Sequence, residues 1–466
     1  MVKQMDNIKN NIDGEKLTIV LICTLLTLMV VINPYDKTTL SRFLSILIIS
    51  LSLIPYLVWR KDRHREKIIP GVIWYGLFYC ICFGFTGLIG HQVAQGFLDQ
   101  SYTQESENIA KLLVATHLFI VFSVLYCLEL LFKRKPIAEN TSSKDGSKLF
   151  YFIIFLCLIL AISRYFVGEP YGGLIVTMVS YLSFSYLFYF LFLKDKGNLP
   201  LKILACVGWV IASGGYERSC SCIVLMMPFI HLGLLLLLLT LQKKGKIPII
   251  PALIMFFAIV IYQPLKAPIR NLMTETNASA SDSISIGLDQ VMGQDLLGIV
   301  DVTSLRFDHN GTFSSVVEHV SPNEYYKWEA YKTLPYVAIP RFLWPEKPTE
   351  FFGNVWGVQE GFLQPTDYLT SFNIPWLIQM YLSYGPTGTI IGSFVVAAIL
   401  FLIGRLYWFA PRRDWDYAMG ITILICIFNI DSDFTNTFGL AIKFMIIDFF
   451  VRFFRNVINL EKERTQ

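Results

Sequence analysis

Charge is what this sequence has least of. Of 466 residues, 16% are Asp, Glu, Lys or Arg, against 54% hydrophobic residues, and the mean hydropathy is +0.52. Soluble globular domains carry about 25% charged residues, so this scarcity excludes an ordinary water-soluble fold. Cysteine makes no framework: none of the nine lies between residues 265 and 385, and Cys220-Ser221-Cys222 lacks the spacing of a zinc or redox site. Walker, GxSxG and HExxH patterns are missing from the polar loops, which argues against a nucleotide-driven pump and against a common serine or zinc hydrolase. The short alternating segments of an outer-membrane barrel are missing too. No metal or cofactor is expected, and no nucleic-acid partner.

What is there is apolar sequence in blocks of roughly 17–24 residues, the length that crosses a bilayer core. Twelve spans are expected, at about 17–33, 41–58, 68–90, 110–132, 149–167, 173–193, 202–215, 221–241, 247–264, 386–404, 416–430 and 438–453. The predicted fold class is an all-α polytopic membrane protein with one large extracytoplasmic loop. Residues 1–264 hold spans one to nine, 265–385 form the loop, and 386–466 hold the last three spans and a tail. The first apolar run is long enough to be a retained span, so a cleaved signal peptide is not expected.

Orientation follows from Lys and Arg. Arg60 to Lys67, Lys133 to Lys148, Lys194 to Lys202, Lys243 to Lys246 and Arg405 to Arg413 all fall in loops of one parity, as do the basic residues of both termini. The short loops of the other parity hold only Lys37, Arg42 and Arg218. Both termini are therefore expected in the cytoplasm and 265–385 outside it. The lipid bilayer is one partner, and the pattern suits a bacterial inner (plasma) membrane.

The 265–385 segment is too aromatic for a tether. Its composition suits a folded cap or short interfacial helices. Its cations lie on the side where an anionic partner would explain them. Ile339 to Pro348 contains three prolines, which stiffen the chain around Arg341 and Lys347. A guanidinium so held pairs bidentately with phosphate, and lipid headgroups would serve as well. Arg218 follows a Gly214-Gly215 break, and Arg270 leaves the ninth span. Snorkelling and ligand binding are both open for them. Arg306-Phe307-Asp308-His309 and Glu318-His319 supply the acid–base candidates. Asp431, Asp433 and Lys443 are further polar residues near the last spans.

In the order Gly215-Tyr216-Glu217-Arg218-Ser219, Arg306-Phe307-Asp308, Pro340-Arg341-Phe342-Leu343-Trp344-Pro345-Glu346-Lys347-Pro348 and Tyr381-Leu382-Ser383-Tyr384-Gly385-Pro386-Thr387-Gly388, the chain resembles the bacterial oligosaccharide repeat-unit polymerases, the O-antigen polymerase (Wzy-type) family. The resemblance covers the second half well; the first half is similar in being helical and membrane-spanning. Where the family places an acidic residue near the first Tyr of the last motif, this chain has Gln379 and Met380.

The resemblance implies a GT-C-like helical architecture and a glycosyl transfer from a polyprenyl-diphosphate glycan to the sugar of another lipid-linked repeat unit. Surface polysaccharide such as O-antigen, capsule or exopolysaccharide is the product, and a chain-length regulator and a flippase are implied partners. Fixed cations would stabilise the departing diphosphate. Arg218, Arg270, Arg306, Arg341 and Lys347 are assigned to it, with Trp344 and Tyr381 as substrate contacts. Asp308 is the first choice for the base, followed by His309, Glu318 and His319. A glycan ligase of the same general type and a lipid-linked oligosaccharide flippase or transporter are the alternatives. A flippase would need polar sites near the bilayer midplane.

Overall fold

A computed structural model describes residues 37–61, 70–89, 102–132, 146–163, 171–195, 197–214, 226–244, 307–337, 352–360, 373–409 and 414–464, with scattered residues between 285 and 293 and between 339 and 347. Among these every regular element is helical. That is the expected outcome for apolar blocks in lipid, where backbone N–H and C=O groups find no water and must pair within the segment. The expected spans at 17–33 and 247–264 lie outside the described residues.

Helix α1 is Lys37–Lys61. Helix α2 runs through Pro70–Tyr79, a π-helical stretch Cys80–Phe85 and a last turn Thr86–Ile89. Helix α3 is Gln104–Leu131 and α4 is Gly146–Ser163. Helix α5, Tyr171–Phe188, continues as a π-helical stretch Tyr189–Leu193. Helices α6 and α7 are Leu199–Gly214 and Met226–Lys244. Helices α8 and α9, His309–His319 and Phe352–Gln359, are short and follow the long polar stretch. Helix α10, Trp376–Ile403, ends in a π-helical stretch Gly404–Phe409. Helices α11 and α12 are Asp414–Ile427 and Phe434–Arg464. Four stretches among the described residues are long and apolar enough to cross a membrane: Thr39–Val58, Gly71–Leu88, Gln104–Leu131 and Trp376–Tyr407.

Helix α3 is the hub, packed on α1, α8 and α10, while α4, α5, α6, α11 and α12 form a second group of neighbours. Backbones come very close where glycine allows it: a Cβ on Gly76 of α2 would lie 2.3 Å from the Ser52 carbonyl oxygen of α1. The outward face of α10 carries exposed Ile391, Phe394, Val395 and Leu402, and that of α12 carries Phe449, Phe450, Phe453 and Phe454. Apolar stripes of this size on a water-soluble protein would aggregate; facing lipid they need no cover.

Most of the ion pairs gather towards the two ends of the bundle. At one end Lys194 pairs with Asp414 at 2.5 Å, Arg452 reaches Asp416 and Asp448 at 2.7 and 2.8 Å, and Arg405 lies over the Phe132 ring. At the other end the first turn of α3 meets α1, the last turn of α2 and α8.

The tenth span, expected from 386, begins at Trp376, and its helix is broken rather than started at the Gly-Pro pair. Residues 376–382 are buried and contain no helix breaker, so they extend the helix beyond the predicted start. Tyr384 and Gly385 then leave helical geometry, Gly385 at φ 61°, ψ −147°, a region essentially reserved for glycine. Pro386 has no N–H to give to the Leu382 carbonyl four residues back. That carbonyl is taken instead by the backbone N–H of Tyr326, at 3.0 Å. A Cβ on Gly385 would fall 2.3 Å from the Tyr325 hydroxyl oxygen. Gly385→Ala therefore meets both backbone strain and a clash, and should destabilise the protein by about 2 kcal/mol or more. Thermal unfolding in detergent checks this; an unchanged midpoint would contradict the packed break.

Candidate functional site

Two adjoining groups of polar and aromatic residues lie at the end of the bundle that carries α8. The first is built on the start of α3. Thr103 caps this helix, its hydroxyl accepting from the Ser106 N–H at 3.2 Å, and Glu105 and Glu107 sit in the first turn, where the helix dipole favours negative charge. Glu107 and Lys111 are one turn apart and pair at 2.6 Å. The Lys111 side chain is fully buried, and its ammonium also donates to the Ser41 hydroxyl at 2.6 Å and the Gly87 carbonyl at 3.0 Å. One cation thus ties the ends of α1, α2 and α3 together. Ser41 and Gln104 donate to the two carboxylate oxygens of Glu107 at 3.0 and 2.7 Å.

Helix α8 docks onto this knot from both of its own ends. Asp308 is its N-cap, accepting from the Gly311 N–H at 2.9 Å. Tyr102 stands beside it: burial first, then the Asp308 and Glu107 carboxylates, push its phenol up and keep it a hydrogen-bond donor. His309 is buried against the rings of Phe78 and Phe83. At the far end a Glu318 oxygen accepts from the Thr103 N–H at 3.0 Å and from the Thr103 and Ser106 hydroxyls, each at 2.6 Å. These bonds, the hydroxyl of Ser106 foremost, hold the Glu318 carboxyl down at about 2. His319 bonds the Ser315 carbonyl through Nδ1 at 2.9 Å.

The second group is the segment 321–337 laid over α10 and α12. Ser321 and Glu324 form a reciprocal capping box. Gln379, fully buried on α10, is the clamp. Its amide nitrogen donates to the Ala330 carbonyl at 2.7 Å, and its amide oxygen accepts from the Phe434 N–H that opens α12, at 2.8 Å. Thr333 and Thr435 share a hydrogen bond of 2.9 Å. Tyr381 is buried against Phe313 of α8 and Tyr325, so it packs the two groups together. Lys347 donates to the carbonyls of Val337 and Ile339 at 2.9 and 3.0 Å, and Trp344 meets Tyr336 edge-on.

Below the break a buried polar chain joins α10 to α3 and α2. Ser393 gives its one proton to the Thr389 carbonyl at 2.6 Å. The His117 Nδ1, 2.7 Å from the Ser393 oxygen, is therefore the donor of that pair, and in a neutral ring Nε2 accepts from the Tyr75 hydroxyl at 2.6 Å. The Tyr79 hydroxyl lies 3.3 Å further on.

Of the residues singled out in the sequence, Asp308, His309, Glu318 and His319 come together on or at the cap of α8, Tyr381 lies on α10 against Phe313 and Tyr325, and Lys347 and Trp344 contact the end of the 321–337 segment and Ile339. Arg218, Arg270, Arg306 and Arg341 lie outside the described residues. Asn373 donates to Asp431 at 3.2 Å, near the start of α12. Sequence reasoning missed Tyr102, Glu107, Lys111, His117 and Gln379. Lys111 had a readable signal, a Glu–Lys pair four apart running into an apolar block. Gln379 had none, because its two partners are far away in the chain.

Removing one partner of a buried ion pair leaves the other charge stranded. Lys111→Met should cost about 3–5 kcal/mol, and adding Glu107→Gln should recover much of it; chemical unfolding of both variants checks this. The Glu318 carboxyl is lowered in the fold from 4.5 to about 2. Its contribution is therefore full above pH 4.5 and lost as pH falls through about 2. Amide exchange in α8 should speed up over that window, and Glu318→Gln should abolish the acid dependence. A variant with the wild-type acid dependence would assign it elsewhere.

No protein-family model, no curated protein and no solved structure matches the chain.

Proposed function

We propose that the chain is a multi-pass membrane glycosyltransferase that polymerises lipid-linked oligosaccharide repeat units, with twelve spans, both termini in the bacterial cytoplasm and its site at the outer face. The observation that carries this reading is the assembly of the Tyr381 to Gly388 turn with the aromatic segment before it. The Tyr381 to Gly388 stretch, which resembles a polymerase motif, receives the aromatic segment 321–337 through the Tyr326–Leu382 hydrogen bond, and Gln379 just before it clamps the same segment at Ala330. Lys347, held by two carbonyls, carries a fixed charge at the end of the proline-rich run. Fixed charge is what a departing diphosphate needs, because it costs no reorganisation as the anion forms.

In the proposed reaction the bond between the anomeric carbon of the growing glycan and the diphosphate oxygen breaks. The electron pair leaves with polyprenyl diphosphate. A hydroxyl oxygen of the acceptor repeat unit bonds to the same carbon, and its proton passes to a carboxylate. Among the carboxylates of α8, Glu318 is a poor base, with three donors on one oxygen and a pKa of about 2. Asp308 is the better candidate, beside a phenol that keeps its proton. Arg218, Arg270, Arg306 and Arg341 join Lys347 as the assigned diphosphate contacts.

Deleting the gene in its host and resolving lipid-linked and surface glycans on a gel tests the reading. Single repeat units in place of a ladder are expected, with the ladder restored by the wild-type chain. Arg341→Gln should not restore it. Asp308→Asn keeps a good helix cap and removes the base, so it should fold normally and lengthen chains roughly 100-fold more slowly. An unchanged ladder in the deletion strain would overturn the polymerase reading, and repeat units trapped on the cytoplasmic side would point to a flippase.

A further inference from the structure

Capping α8 uses one oxygen of Asp308: Oδ1 accepts from the Gly311 N–H at 2.9 Å. The other oxygen, Oδ2, lies where the third helical residue has no side chain. A Cβ on Gly311 would be 2.8 Å from Oδ2, closer than an unstrained contact allows. The Tyr102 hydroxyl oxygen is 3.6 Å from the same point. Glycine is the poorest helix former after proline, and an N-cap asks for none at this position, where Glu or Gln is the usual helper. What Gly311 provides is room for Oδ2 beside the phenol.

The place of Tyr102 is fixed by its neighbour. Thr103 gives its N–H and its hydroxyl to Glu318 at 3.0 and 2.6 Å, and the Ser106 hydroxyl adds a third bond at 2.6 Å. The far end of α8 is thus tied to the start of α3, and Tyr102 meets α8 at its near end. Lys111, the buried cation of the same region, is engaged by Glu107, Ser41 and Gly87. The phenol keeps its proton, since burial first and then the Asp308 and Glu107 carboxylates push its pKa up. We propose that the Tyr102 hydroxyl donates to Oδ2 of Asp308, and that Tyr102 and Gly311 are positioning residues for the proposed base. With one donor on each oxygen the carboxylate cannot turn about its Cβ–Cγ bond, and a remaining lone pair of Oδ2 stays set for the proton of the acceptor hydroxyl. The positioning role rests on the reading of Asp308 as the base of the polymerase reaction; the hydrogen bond does not.

The test uses the purified full chain in lipid nanodiscs with lipid-linked repeat units from its host, and reads kcat, KM and the thermal midpoint. Tyr102→Phe should lower kcat about tenfold, the loss of one hydrogen bond to a charged group, with KM unchanged. Gly311→Ala favours the helix by propensity, so its midpoint should hold or rise. Its Cβ displaces Oδ2, so its kcat should fall at least as far. In an Asp308→Asn background, Tyr102→Phe should slow the reaction no further. Wild-type kcat in Tyr102→Phe or in Gly311→Ala would overturn the positioning role, as would an undiminished effect of Tyr102→Phe in the Asp308→Asn background. Wild-type kcat in Asp308→Asn would take the base, and with it the positioning role, away from Asp308. A wild-type chain that joins no repeat units would strike the polymerase reading itself. The bond is tested without turnover by infrared difference spectra. Wild type against Asp308→Asn isolates the Asp308 carboxylate band, and the same difference taken in the Tyr102→Phe background should place that band at another frequency. An identical band in both would overturn the bond.

Discussion

The hydrogen bond from the Tyr326 N–H to the Leu382 carbonyl is the constraint on which the rest of this end of the molecule depends. A proline inside a membrane-level helix orphans a carbonyl, and leaving a buried one unpaired costs about 1–3 kcal/mol. The chain answers the vacancy with a backbone donor from a segment that precedes the helix by some fifty residues in sequence. Everything local follows. Gly385 turns where only glycine turns, Tyr325 fills the space its missing Cβ leaves, and Lys327, next after Tyr326, sits at positive φ. A break that would otherwise weaken the bundle becomes the seat of the polar segment.

Electrostatics reinforces that seat from the side. A buried lysine is tolerable only when several acceptors replace its water. Glu107, Ser41 and Gly87 do so from three helices, which fixes where the ends of α1, α2 and α3 lie. Helix α8 then bridges from this knot to α10: Glu318 engages the α3 cap at one side, and Phe313 meets Tyr381 at the other. Asp308, the proposed base, and the broken helix are therefore parts of one framework.

Much of the helical content was legible because each apolar block is long and bounded by charge or by Gly and Pro. The helices over 37–61, 70–89, 146–163 and 199–214 fall on expected spans within a few residues. The start of α10 was misjudged because Gly385-Pro386 reads as a boundary, and only tertiary contact turns it into an interior break. Asp308 carried a signal as well, Asp-x-x-Gly at a helix start, but it indicates a cap as readily as a base. The role of Gln379 was illegible, since a lone amide in an apolar run says nothing about which carbonyl and which N–H it joins. For the same reason His117 gave no sign of Ser393 and Tyr75, residues in different spans.

The central claim is that a carboxylate and fixed cations at this end transfer a glycan from diphosphate to a sugar hydroxyl. The most direct measurement reconstitutes the purified chain in lipid nanodiscs with repeat units carried on polyprenyl diphosphate from its host, and follows glycan length and free polyprenyl diphosphate together. The account predicts that one polyprenyl diphosphate is released for each repeat unit joined. Repeat units that stay single, with no polyprenyl diphosphate released by a chain that is folded and inserted, would contradict it.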